Sequence, residues 1–254
     1  MKKRILITAG GTAEKIDQVR SITNHSTGKL GSFIADLFLK HDYQVDYVTT
    51  ASALRPTAQI NLTVEEITDT QQLDERLTFL LTKNRYDAVI HSMAVSDFTP
   101  VKSYTQKDFV EQINQHFLKS GLPLTEADLA NMIETPVATT TSKISSNTDY
   151  LFLALKQTPK VIQKIKVLQP DTLLVSFKLL VDVPKAELLQ VALASMQKNQ
   201  GDFVLANDLT TIKGQAHTGY LLNKEGQIVG EAQTKEAIAQ LITQTILNEG
   251  TKEV

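Results

Sequence analysis

The sequence predicts an α/β fold built on a mainly parallel sheet, and three observations carry that prediction. Short apolar, β-rich runs alternate with segments of helical periodicity. Their spacing from Arg4 to Met93 is that of βαβ units. Glycines and polar functional groups gather just after the apolar runs, where an open parallel sheet presents its ligand sites.

Arg4–Ala9 is an apolar run closed by glycines and suits a buried parallel strand. Leu30–His41 follows a polar segment and carries Ile34, Leu37 and Phe38 on one helical face. Gln44–Thr49 reads as the second strand, Thr70–Lys83 as a helix through Leu73, Leu77, Leu80 and Leu81, and Tyr86–Met93 as the third strand. Thr99–Ser142 breaks this rhythm: it is polar, holds Pro100, Pro123 and Pro136, and reads as a loop-rich lid or excursion. Within it a weak helical pattern near Thr125–Met132 has Thr125 as cap and Asp128 three residues on. Pro159–Val167 reads as a short helix with proline in its first turn. Thr172–Phe177 and Asp202–Ala206 read as strands on either side of a helix over Pro184–Lys198, which turns Leu188, Val191, Ala192 and Met196 inward. Gly219–Asn223 and Gln227–Glu231 form a hairpin, and Thr234 caps a closing helix over Thr234–Asn248.

Composition excludes several classes. The chain has 254 residues, 42% hydrophobic and 21% charged, as an ordered globular protein does. Lys and Arg number 26 against 28 Asp and Glu, so no global basic field recruits nucleic acid or anionic lipid. The absence of cysteine rules out disulfides, thiolate nucleophiles and Cys-based metal sites, and fits a reducing compartment. With no Trp and 6% aromatic residues, a stacking platform for single strands is not expected. No apolar run approaches the roughly 20 residues of a membrane span. The run Ile5-Leu6-Ile7 behind Lys2-Lys3-Arg4 is too short for a signal peptide. A cytoplasmic location is expected.

The chemistry should lie after the strands. Behind the first come Gly10, Gly11, Thr12, Arg20, Asn24, His25, Ser26, Thr27, Gly28, Lys29 and Gly31; behind the others come Ser92, Met93, Asp97, Lys178, Asn207 and Asp208. Glycine lets a backbone approach a phosphate, and helix N-terminal amides then donate to it. The dinucleotide fingerprint fails, because Gly10-Gly11-Thr12-Ala13-Glu14-Lys15 lacks the later glycines. A phosphate-binding P-loop fails too: Gly28-Lys29 matches its end, but Thr23 stands at the first glycine and Leu30 at the hydroxyl position. What remains is a Ser/Thr/Gly loop opening a helix, read either as a generic anion site or as an ordinary cap and turn.

The longer string Asp17-Gln18-Val19-Arg20-Ser21-Ile22-Thr23-Asn24-His25-Ser26-Thr27-Gly28-Lys29-Leu30-Gly31, with Ile7-Thr8-Ala9-Gly10-Gly11-Thr12 before it, is far more specific. Together with Ala94-Val95-Ser96-Asp97-Phe98, Ser142-Lys143-Ile144, Val175-Ser176-Phe177-Lys178-Leu179 and Ala206-Asn207-Asp208-Leu209, it resembles the phosphopantothenate–cysteine ligases. The resemblance runs over nearly the whole chain and is weakest between Asp97 and Lys143.

The resemblance implies a Rossmann-like three-layer fold with an antiparallel excursion. It implies one ligase domain over residues 1–254, with a flexible flap around 99–142 and a hairpin excursion around 207–231, and the stand-alone form rather than a fusion to a decarboxylase. It implies a reaction in which the carboxylate of 4′-phosphopantothenate attacks the α-phosphate of CTP, or of ATP, with Mg²⁺. Pyrophosphate leaves, and the amine of L-cysteine attacks the acyl-nucleotide (an acyl-cytidylate with CTP). A separate decarboxylase would act on the product. By the same resemblance Asn24 serves the acyl intermediate, Arg20 the substrate and Lys143 the triphosphate. Gly10, Gly11, Ser26, Thr27, Gly28, Ser92, Met93, Asp97, the turn Thr158-Pro159-Lys160, Phe177 and Lys198 line the nucleotide site. The metal ligands are not assigned. Lys178 stands where fused bacterial forms have small residues, and Ala194 replaces one of two helix lysines, so the preference of CTP over ATP is expected to be loose. Family members commonly dimerise through an antiparallel excursion, which the Gly219–Glu231 hairpin would supply. The alternatives are an NAD(P)-binding oxidoreductase and a non-catalytic nucleotide-binding regulator.

Overall fold

The computed structural model describes residues 3–135 and 147–250. In chain order, β1 spans Arg4–Ala9, β2 Ala13–Lys15, β3 Ser21–Thr23 and α1 Lys29–Lys40. Then come β4 (Gln44–Thr50), β5 (Leu62–Ile67), α2 (Thr70–Lys83) and β6 (Ala88–His91). β7 (Phe98–Thr105), α3 (Gln106–Ser120), α4 (Glu126–Glu134) and β8 (Leu151–Gln157) follow. The chain continues through α5 (Val161–Leu168), β9 (Leu173–Leu180), α6 (Lys185–Lys198) and β10 (Phe203–Asp208). It closes with β11 (Ala216–Asn223), β12 (Ile228–Thr234) and α7 (Lys235–Glu249).

These elements divide into two compact units, where the sequence reading expects one. The first comprises Met1–Thr12, Asn24–Val95 and Lys160–Val254; the second comprises Ala13–Thr23 and Ser96–Pro159. The division follows from backbone pairing. β2 pairs with β3 and β7 with β8, and neither pair joins the large sheet.

The first unit is an 8-stranded sheet in the order β12-β11-β10-β9-β6-β1-β4-β5. From β10 to β5 neighbouring strands are parallel, and β11 and β12 add antiparallel at one edge. β1 is buried from Ile5 to Ala9 because both of its faces are covered. Ile5 and Ile7 pack with Ile34 and Phe38 of α1 and Ile238 and Ile242 of α7. Leu6 and Val89 pack with Leu73 and Leu77 of α2 and Ile165 of α5. On the β10 face turned away from α7, Leu188, Ala192 and Met196 of α6 pack on Val204 and Ala206. The result is the expected three-layer α/β arrangement with its antiparallel excursion. β5 escapes the sequence reading: it is a half-exposed edge strand with two adjacent glutamates, Glu65 and Glu66. Among the described residues no helix is long and apolar enough to cross a membrane.

The second unit corrects the loop-rich reading of Thr99–Ser142. Gln106–Ser120 is a 15-residue helix with no buried residue, so its polar surface outweighs its apolar spacing in the sequence. Its Phe109 stacks on Phe152 of β8 at 4.5 Å and 14° and lies 5.7 Å from the Tyr104 ring. α4 begins as the sequence predicts, with Thr125 and Asp128 capping each other's backbone amides. Residues 136–142 of this segment, and Lys143, lie outside the described residues. In the first unit, α5 starts at Val161 rather than at Pro159, with Lys160 as its N-cap.

Candidate active site

A cavity of ≈ 350 Å³ opens in the first unit at the carboxyl edge of the parallel strands. The chain runs from β1 to β4 and β5 on one side and returns to β6, β9 and β10 on the other, so the strand order reverses between β1 and β6. Ligands of open α/β sheets bind at such a reversal. Ser26, Thr27, Gly28 and Lys29 line the cavity on the α1 side, with Ser92 and Met93 beyond β6. Phe177, Leu179, Leu205, Leu209 and Ile212 give it an apolar wall, broken by Asn207, His217 and Lys235.

The start of α1 is shaped by Gly28. Its φ of 71° is left-handed, and a Cβ there would lie 3.0 Å from the Ala53 Cβ and 3.3 Å from the Leu54 carbonyl oxygen. Thr27 is held by its carbonyl, which accepts from Leu54 N at 2.9 Å, while Tyr47 donates to Leu54 O at 3.0 Å. No side chain caps α1 at Gly28, so its first-turn amides face the site without a carboxylate or hydroxyl cap from that residue. α7 begins at the same edge, and Lys29 Nζ lies 3.9 Å from Glu236 in its first turn. Lys29 N donates to Thr27 Oγ1 at 3.4 Å and Ala237 N to the Thr234 cap at 3.1 Å; the remaining first-turn amides of the two helices, with Lys29 and Lys235, make this mouth favourable to an anion.

Gly10 and Gly11 continue β1 toward the site. Ala94 N donates to Gly10 O at 2.8 Å and Thr12 N to Ala94 O at 3.2 Å, which extends the β1–β6 pairing past the strand ends. Gly11 packs against backbone: a Cβ would sit 2.2 Å from Asn24 O. That approach fixes Asn24, whose side-chain amide donates to Val95 O at 3.1 Å.

In the second unit, Asp17 explains the spacing of Asp17-Gln18-Val19-Arg20. Its Oδ1 accepts from Val19 N and Arg20 N at 2.9 and 2.8 Å, and its Oδ2 accepts from Arg20 Nε and Nη2 at 3.1 and 2.7 Å. The carboxylate thus builds the β2–β3 turn and orients the guanidinium. Asp97 and Thr158-Pro159 are brought together there: Thr158 N donates to Asp97 O at 3.0 Å and Thr158 Oγ1 to Ser96 O at 2.6 Å.

Among the other expected residues, the Ser92 hydroxyl donates to Thr8 O at 2.7 Å and Met93 is buried. Phe177 reaches the cavity, and the alternation of β9 turns its neighbour Lys178 to the opposite face of the sheet. Lys198 is not brought to the cavity. It ends α6 just before β10 begins, at the opposite edge of the sheet, because α6 runs back from the carboxyl edge. Lys143 lies outside the described residues. His217 and Lys235 were not expected; they sit on the antiparallel excursion and the closing helix, and the Thr234 cap was the one signal pointing to Lys235.

Buried titratable groups divide by role. His91 faces Thr8 Oγ1 at 2.8 Å through Nδ1, and burial lowers its pKa to about 4. Asp208 accepts from Asp182 N, Val183 N, Thr210 N and Thr210 Oγ1, and hydrogen bonds led by the Thr210 hydroxyl hold its carboxyl far below the usual range. It staples the β9–α6 loop to β10. Among the described residues no group of three or more His, Asp or Glu side chains gathers as a metal site would require.

Residues 1–119 and 105–249 match the family described as DFP: DNA/pantothenate metabolism flavoprotein C-terminal domain. The chain belongs to this family. Within it, the chain is 28% identical over 238 residues to the coenzyme A biosynthesis bifunctional protein CoaBC of Thermococcus kodakarensis, covering 94% of this chain and 49% of that protein. It is 30% identical over 207 residues to the CoaBC protein of Methanocaldococcus jannaschii, covering 82% and 41%. The chain therefore spans about half the length of the curated relatives it matches or somewhat less. The solved DNA/pantothenate metabolism flavoprotein from Streptococcus pneumoniae shares 39% identity at a TM-score of 0.83, over 97% of this chain and 99% of that one. Cab2 mutant H337A, solved in complex with phosphopantothenate-cysteine, shares the fold at a TM-score of 0.61 and 18% identity, over 98% and 89% of the two chains.

Proposed function

We propose that the chain joins 4′-phosphopantothenate to L-cysteine through an acyl-nucleotidyl intermediate, giving 4′-phosphopantothenoyl-cysteine and pyrophosphate. The observation that carries this reading is the cavity at the strand-order reversal, bordered by the start of α1 behind Asn24-His25-Ser26-Thr27-Gly28. The bifunctional CoaBC relatives and the phosphopantothenate-cysteine complex of Cab2 support the substrate class. Ser26, Thr27 and Gly28, with Lys29, offer amides, hydroxyls and a cation to a triphosphate. Mg²⁺ enters as the Mg–nucleotide co-substrate, held mainly by the phosphates, which suits an ion that keeps its waters and few protein ligands.

The chain's own residues then have separable tasks. A carboxylate is a poor electrophile, so transfer of the nucleotidyl group to it creates the leaving group that the amine displaces. Arg20, held flat by Asp17, offers a planar cation to an anionic substrate group. Lys143 neutralises the triphosphate as its α-phosphorus is attacked. Asn24 donates from its amide to the acyl oxygen when the cysteine amine adds and negative charge develops there. CTP is the favoured nucleotide and ATP a measurable second. A decarboxylation consumes the product. The decisive experiment is pyrophosphate release from phosphopantothenate with CTP or ATP, with and without cysteine. Release and amide formation are expected with CTP; release with neither nucleotide refutes the reading.

A further inference from the structure

We propose that Tyr47 is a positioning residue: through Ala53 and Leu54 it sets the left-handed bend at Gly28, and so aims the start of α1 at the polyphosphate of the co-substrate. The proposal rests on the nucleotide co-substrate of the ligase reading and deepens it. Tyr47 does not line the cavity, so it acts through the backbone that does. It lies in the middle of β4, and strand alternation turns it with Val45 into the core shared with α1. Its side chain is fully buried there. Only the hydroxyl separates it from its apolar neighbours, and a buried phenol needs a partner for its O–H.

That hydroxyl stands between two backbone carbonyls. It donates to Leu54 O at 3.0 Å and lies 3.5 Å from Gly28 O. Gly28 O already accepts from Ser32 N at 3.0 Å, the first helical bond of α1. Leu54 N in turn donates to Thr27 O at 2.9 Å, so Leu54 is tied to the cavity wall by its own amide and to Tyr47 by its carbonyl. Packing leaves this arrangement little slack. A Cβ on Gly28 would stand 3.0 Å from the Ala53 Cβ, and one on Gly10 would stand 2.8 Å from the same atom. Ala53 is 7% exposed, and its methyl fills the space between the two glycine bends, whose φ values are 71° and 94°. Burial pushes the Tyr47 phenol far above its ordinary range, so it remains a donor at any working pH. A phenylalanine ring keeps the packing but offers no proton. Leu54 O and Gly28 O would then face an apolar ring edge. The Leu54 carbonyl, left without its donor, turns toward water and takes the Thr27–Gly28 bend with it. Ser26, Thr27, Gly28 and Lys29 line the cavity, so that movement displaces the groups offered to the phosphates.

The test measures equilibrium binding of Mg–CTP and of inorganic tripolyphosphate, a probe without a base, to the whole chain by calorimetry. Thermal melts and kcat and KM for pyrophosphate release are measured beside it. Tyr47→Phe should weaken both ligands by the same factor, about three- to tenfold, as the loss of one net hydrogen bond would. KM for CTP should rise by that factor, with kcat within about twofold of wild type. Tyr86→Phe is the structural control. It removes another buried hydroxyl, which donates to Asp46 Oδ2 at 2.6 Å ahead of β6, at the opposite edge of the sheet. It should lower Tm and leave both affinities unchanged. Ala53→Val crowds both glycine bends and should weaken tripolyphosphate at least about tenfold. Tyr47 and Ala53 act on one bend, so the double variant should bind little more weakly than Ala53→Val alone. Unchanged affinities in a folded Tyr47→Phe or Ala53→Val, an equal loss in Tyr86→Phe, or losses that multiply in the double variant overturn the proposal. So does a wild-type chain that fails to bind tripolyphosphate. The expected losses in a chain that releases no pyrophosphate from phosphopantothenate would sink the ligase reading and leave this inference standing.

Discussion

Replacing Gly11 by alanine tests whether backbone packing, and not only side-chain chemistry, positions Asn24. The added Cβ would stand 2.2 Å from Asn24 O and 3.3 Å from Asn24 C, both backbone atoms that no rotamer change can move. Ordinary contact begins near 3.4 Å, so one segment must retreat by about 1.2 Å. Gly11 is itself tied in, bridging to Ala94 beside the Gly10–Ala94 and Thr12–Ala94 hydrogen bonds. The Asn24 segment is therefore the side that yields. Overpacking of this kind costs about 1–3 kcal/mol, which for a chain of this size is roughly 2–12 °C in Tm. The functional loss should be larger, because a displacement near 1 Å at a reacting group costs on the order of 10²-fold. Thermal melts and rapid-quench measurement of amide formation read the two effects separately. A variant melting within about 1 °C of wild type and forming amide within about threefold of its rate would refute the reasoning.

Asn24→Asp keeps the size but removes the amide donor to Val95 O at 3.1 Å and to the acyl oxygen. It should still release about one equivalent of pyrophosphate per site while slowing amide formation about 10²–10³-fold, and absence of that burst in a folded protein would move Asn24 to the first step. Asp202→Ala leaves Lys166, 8% exposed and 2.7 Å from the lost carboxylate, as a buried charge without its ion partner. Urea unfolding should show a loss of about 3–5 kcal/mol, and a loss under 1 kcal/mol would mean that the Pro170 and Thr172 carbonyls alone satisfy the ammonium. His91 is neutral in the fold, with a pKa lowered to about 4 by burial, whereas an unfolded histidine titrates near 6.5. The unfolded state binds the extra proton, so stability is full above about pH 6.5 and falls by up to about 3 kcal/mol as pH drops toward 4. Unfolding free energies from pH 7 to 4.5 should flatten in His91→Leu; an unchanged slope would assign the acid loss elsewhere. Asp208 runs in the same direction at lower pH: its depressed carboxyl stabilises the fold above the ordinary carboxylate range and less as acid protonates it. Asp208→Asn should narrow the difference in Tm between pH 6 and pH 3, and an unaltered difference would remove Asp208 from the account.

Sequence alone determined what short-range physics and pattern determine. β1 and β6 read as buried strands because continuous apolar runs have few other stable homes, and α1, α2, α6 and α7 read from periodicity, with Thr234 as a cap. The Asn24–Gly28 string and its place behind the first strand were legible too, since a helix start next to glycine carries its own signature. The exposed helix α3 was not legible: it buries nothing, so its stabilising contact is the Phe109–Phe152 stack between residues far apart in the chain. Nor was the separate pairing of β2 with β3 and β7 with β8, because three-residue strands carry almost no periodicity and pairing partners are chosen across the fold. The same holds for the cavity. Lys198 follows the right kind of helix, but the direction of α6 takes it to the far edge of the sheet. His217 and Lys235 come from the antiparallel excursion and the last helix, and the strand order β9-β10-β11 brings them beside Phe177 and Asn207. Alternation and capping are local and are written in neighbouring residues; which side chains share a cavity depends on strand order and helix direction, which long-range burial decides.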